Sequence, residues 1–114
     1  MGNLDMISFA LATALAAATA QAGPPPQLRQ AYSACLSNFK KAKLSEKLDD
    51  ATFRSGAKAA CAAQEAAFRN AIVAYDVKTG MKKASAEEGA ALQVEDYLVN
   101  IAETYQAHTQ AKPK

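Results

Sequence analysis

Cys35 and Cys61 are the residues of this 114-residue chain with the strongest covalent chemistry. They lack the Cys-x-x-Cys spacing that poises a thiol pair for exchange, so they are expected to bond to each other as a structural disulfide. Closing a loop of about 25 residues contributes roughly 3 to 4 kcal/mol in the chain-entropy view, a large share of a small domain's stability. Nucleophilic catalysis also needs a base beside the thiol or hydroxyl, and the one histidine, His108, lies near the C-terminal end. A metal site at His108 would have to recruit Glu103 or ligands from other helices, so a solvated histidine is the simpler expectation.

The acidic pairs Asp49-Asp50, Glu87-Glu88 and Glu95-Asp96 offer hydrolytic chemistry only where a cleft pushes two carboxyl pKa values apart. The first two pairs fall where helix N-termini favour negative charge, and the third reads as surface. Phosphate-loop, dinucleotide, calcium-loop and covalent-haem signatures are missing from the sequence after residue 22, so no cofactor is expected. Two sets of residues are left as candidates for binding. Lys40, Lys41, Lys43 and Lys47 form a basic connection that continues into a stripe with Arg54, Lys58 and Arg69. Tyr32, Tyr75, Tyr97 and Tyr105 lie on or near inward stripes, where they serve the core or line an aromatic cleft at the helix ends.

Three helices must position these groups. Leu28, Ala31, Tyr32, Cys35, Leu36 and Phe39 recur at three-and-four spacing and predict a first helix from about Pro26 to Lys43. Asp49 or Asp50 caps a second helix whose stripe runs through Phe53, Ala57, Ala60, Cys61, Gln64, Phe68, Ala71, Ile72 and Tyr75, before Gly80 allows a left-handed exit. Arg54, Lys58, Glu65, Arg69 and Asp76 form its polar stripe. Ser85 and Glu88 have capping-box spacing and open a third helix with Ala90 or Ala91, Val94, Tyr97, Leu98, Ile101 and Tyr105 inward. The predicted fold is an all-α, small antiparallel three-helix bundle, with a disulfide between the first and second helices. In support of that pairing, residue 48, midway between Cys35 and Cys61, falls in the connection of the helical hairpin.

Ahead of this domain an apolar stretch from Met6 to Ala20 ends in Ala20-Gln21-Ala22 and meets Gly23-Pro24-Pro25-Pro26. Residues 1–22 read as a cleaved export signal, 23–27 as a short Gly/Pro-rich lead-in, 28–109 as one helical domain and 110–114 as a frayed tail. The leading residues carry Asp5 and no Lys or Arg, which leaves initiation at Met1 or at Met6 open. An uncleaved helix on or in the inner membrane is the competing reading, although the run is short for a stable transmembrane segment.

The chain has 13 basic and 11 acidic residues, a formal charge of +2. That mild balance, in an exported protein, argues against nucleic acid as the partner. The expected function is that of a non-enzymatic periplasmic or secreted helical protein, monomer or homodimer, which binds an envelope protein or small ligand through a bundle surface. A structural or stress-associated protein of the periplasm, without a specific ligand, is the first alternative. A cryptic hydrolase using carboxylates or His108 is the second.

Overall fold

Four helices, rather than the three expected, form the domain. In the computed structural model, which describes residues 24–110, they are α1 (Pro25–Lys43), α2 (Asp50–Ala60), α3 (Ala62–Lys78) and α4 (Lys83–Gln110). The expected export signal at residues 1–22, with Gly23 of the lead-in and residues 111–114 of the tail, lies outside the described residues.

Each boundary has a local chemical cause. Proline opens α1, where a missing N–H removes no helical bond, and Lys40, Lys41 and Lys43 sit in its last turn beside the exposed carbonyls. Asp49 caps α2 by accepting the Thr52 N–H at 2.8 Å, and this bond holds its carboxyl below the usual aspartate range. At the end of α3 the Gly80 N–H donates to Val77 O and the Met81 N–H to Asp76 O, with Gly80 at φ 113°. Those paired bonds and the left-handed glycine make a Schellman turn. The turn is short enough for α4 to begin at Lys83, with the Ala86 N–H donating to Lys82 O. Ser85 therefore lies inside the first turn instead of capping the helix.

The extra helix arises from a break in the expected second helix at Cys61, whose φ of −111° and ψ of 23° leave the helical region. The Cys61 N–H still donates to Ala57 O at 3.0 Å, and the Glu65 N–H to Cys61 O at 2.9 Å. Both bonds lie on the buried side. Lys58, Ala59, Ala60, Ala62 and Ala63 flank the break and are exposed, so water can serve backbone groups that open there. The buried face continues across the break without turning outward.

Tyr32 and Leu36 from α1, Phe53 and Ala57 from α2, Cys61, and Phe68 and Ile72 from α3 form one core with α4. On α4, Ala90, Val94, Leu98 and Ala102 recur every four residues and lead to Tyr105. A ridge of this kind, with small alanines, lets neighbouring helices approach closely. Ala102 thus occupies the seam, while Ile101, expected inward, is only half-buried. Aromatic side chains gather into two clusters separated along α1 by Cys35. Tyr32, Phe68 and Tyr97 meet with centroids 5.8 to 6.2 Å apart, and Phe39, Phe53 and Tyr105 meet at 5.3 and 4.1 Å.

Candidate interaction surface

Cys35 and Cys61 form the disulfide, with their Cα atoms 5.9 Å apart. This separation is usual for bonded cysteines, and it joins α1 to the junction of α2 and α3. Cys61 is fully buried and Cys35 half-buried. The segment between them carries Lys40, Lys41, Lys43, Lys47, Arg54 and Lys58.

The last turn of α1 and the following loop hold the first four of these cations, and α4 holds that loop in place. The Tyr105 hydroxyl donates to Lys43 O at 2.7 Å and accepts the Leu48 N–H at 2.9 Å. Gln106 Nε2 donates to Leu48 O at 3.2 Å. Three bonds from adjacent residues of α4 thus pin both ends of residues 43–48. Between those anchors Lys47 adopts φ 52°, a left-handed conformation uncommon for a residue with a side chain. The fixed backbone sets where that cation is presented.

Among the described residues, charge at this end is only partly compensated. Lys43 reaches Glu46 at 3.4 Å and lies 5.6 Å from the centre of the Phe39 ring. Lys40 Nζ stands 3.5 Å from His108 Nδ1, which brings the histidine of α4 to the basic cluster. Lys41 and Lys47 are exposed. The other expected basic residues lie elsewhere. Arg54 pairs with Asp50 at 2.9 Å within α2 and approaches Glu95 of α4 at 3.9 Å, Lys58 is exposed on α2, and Arg69 pairs with Glu65 on α3.

The four tyrosines do not share a cleft. Tyr32 and Tyr97 meet in one aromatic cluster, Tyr105 belongs to the other, and Tyr75 is 57 % exposed on α3. A groove between α3 and α4 is lined by Arg69, Val73, Lys83 and Glu87 among others, and it contains none of the tyrosines. Among the described residues, no group of three or more His, Cys, Asp or Glu is arranged to hold a metal ion, and no helix is long and apolar enough to cross a membrane.

Glu65 is the charged residue whose place differs most from expectation. It is 8 % exposed and lies on the buried seam, where its carboxylate bonds to Arg69 one turn later. The signal was its spacing: four residues after Cys61 and three before Phe68, it continues the seam that Gln64 was expected to occupy. On α1, the Tyr32 hydroxyl is buried without a hydrogen-bond partner among the described residues. Burial, with the charges of Glu65 and Glu95, pushes its pKa up to about 12, while Arg69 acts in the opposite sense. Two further features carried no clear sequence signal. The tyrosine and glutamine of α4 that hold the loop are ordinary helix residues in the sequence, and Gly56 is the place where the Phe39 ring crosses α2, its Cζ 2.8 Å from where a Cβ would stand.

Comparison with family models, with curated proteins and with solved structures gave no match, so the reading of this surface rests on its own geometry.

Proposed function

We propose that this chain is an exported, non-enzymatic helical protein that binds an acidic surface of another envelope protein through the basic end formed by Lys40, Lys41, Lys43 and Lys47. The observation that carries the reading is the loop of residues 43–48, tied to Tyr105 and Gln106 by three hydrogen bonds. A solvated lysine-rich loop needs no such anchoring, whereas a binding loop gains affinity when its ordering is complete before the partner arrives. The N-terminal apolar run, with its small-residue boundary at Ala20-Gln21-Ala22, supports the assignment to the envelope.

Titrating the full chain with a polyglutamate peptide at several salt concentrations tests this reading. Binding should weaken as salt rises, because the contacts are between exposed charges. Replacing Lys41 and Lys47 together by Gln should lower affinity about threefold to tenfold at low salt, whereas Lys58→Gln on α2 should change it little. Equal affinity for wild type and the double variant would reject the basic end as the site. Binding to phosphatidylglycerol vesicles without binding to the peptide would replace the protein partner by a lipid surface.

A further inference from the structure

We infer that the Cys35–Cys61 bond maintains the helix break at residue 61, and that opening this bond joins residues 50–78 into one continuous helix. No proline or glycine lies within four residues of the break, the nearest being Gly56, five residues before Cys61. The run Ala57-Lys58-Ala59-Ala60-Cys61-Ala62-Ala63-Gln64-Glu65-Ala66-Ala67 contains no proline or glycine and is dominated by alanine, the strongest helix former. Sharp interruptions generally trace to proline, glycine or an insertion in the bonding ladder, yet here the residue outside helical geometry is the one bonded to another helix.

Straightening requires no exchange of inner and outer faces. Phe53, Ala57, Cys61, Glu65, Phe68 and Ile72 are all buried, and their spacing follows a single helical stripe across the break. The two bonds on the inner side already have helical i to i−4 connectivity. Only the exposed flank has bonding to gain.

Access to the bond is asymmetric. Cys61 is fully buried and Cys35 half-buried, so a thiolate of an external dithiol attacks Cys35 Sγ. The S–S bond breaks, Cys61 leaves as a thiolate and takes up a proton, and a mixed disulfide forms at Cys35. The second thiol of the dithiol displaces Cys35, which is protonated in turn. Two electrons and two protons pass to the protein as the dithiol becomes a cyclic disulfide. Lys40, Lys41, Lys43 and Lys47 lie within the ring this bond closes, so redox state also sets how α1 and α2 hold the lysine loop between them. That consequence for binding rests on the function proposed above, while the straightening does not.

Nitroxides placed at Ala51 and Lys78 through non-natural amino acids, with amide exchange read at Ala62, Ala63 and Gln64, test the inference on the full chain. The oxidised protein, the dithiothreitol-reduced protein and the Cys35→Ala/Cys61→Ala variant are compared. On reduction and in the variant, the separation should lengthen toward about 40 Å, the span of 27 helical steps, and exchange at the three amides should slow by about tenfold or more. An unchanged distance and exchange rate in a folded reduced chain overturns the inference. So does loss of helicity throughout in both the reduced protein and the variant. Straightening with unchanged affinity for polyglutamate removes only the binding consequence, and failure of the oxidised protein to bind polyglutamate removes the proposed function while leaving the straightening to be judged by distance and exchange.

Discussion

Tyr32 and Tyr105 are the same residue type, each almost wholly buried and each packed in an aromatic cluster, yet their hydroxyls meet opposite fates. Tyr105 bonds at both its proton and its lone pair, to Lys43 O and the Leu48 N–H, and thereby ties the loop to α4. The Tyr32 hydroxyl feels the charge of the buried Glu65 carboxylate and has no hydrogen-bond partner among the described residues. A buried hydroxyl contributes only through the bonds it completes, and an unpartnered one is a net cost. One cluster therefore organises a surface, and the other holds a polar atom that the core would tolerate losing.

The largest expected effect treats the clusters alike. Phe53→Ala and Phe68→Ala should each destabilise by about 3 to 5 kcal/mol in urea unfolding, because each leaves a cavity in a fully packed site. A marked difference between the two would show that one cluster relaxes around the void.

Removal of the hydroxyls should separate them. Tyr105→Phe leaves the Leu48 N–H without its partner, removes one of the two donors to Lys43 O, which keeps the Glu46 N–H, and should destabilise by about 1 to 3 kcal/mol, with faster amide exchange at Leu48. Tyr32→Phe should be neutral or slightly stabilising. Alkaline titration sharpens the contrast. The folded pKa of Tyr32 is raised from 10.0 to about 12, so the folded state retains the proton while the unfolded chain loses it. Stability from this source is complete below pH 10 and declines as pH rises from 10 through about 12. Tyr32→Phe should flatten that decline, and an identical alkaline slope in the variant would contradict the raised value.

The smallest effect lies at Gly56. An added methyl gains about 1 kcal/mol of helix propensity but meets the Phe39 ring, which packs on Phe53. Gly56→Ala should lose less than about 1 kcal/mol in wild type and become stabilising in a Phe39→Leu background, and equal shifts in both backgrounds would show that the ring is not the obstacle.

Much of this arrangement was legible because it depends on near neighbours along the chain. The stripe from Leu28 to Phe39, the Asp49 cap, the Gly80 exit and the reach between Cys35 and Cys61 are all set by helical period, capping chemistry or loop length. The capping-box pattern at Ser85 misled for an equally local reason. Its spacing is correct, but the Schellman turn already satisfies the preceding chain and lets α4 start three residues earlier. The lysines of the basic end could be named from sequence, whereas their fixed presentation could not, since the residues that hold the loop stand on a distant helix.

What the sequence determined by itself was the all-helical class, most of the inward positions and the pairing of the two cysteines, since apolar periodicity and chain reach are properties of consecutive residues. Tertiary structure alone decided the break at Cys61, how deeply Glu65 is buried and the anchoring of residues 43–48 by Tyr105 and Gln106. Each of these depends on a contact between segments brought together by folding, where a cross-link, a buried charge or an unsatisfied backbone group outweighs local helix propensity.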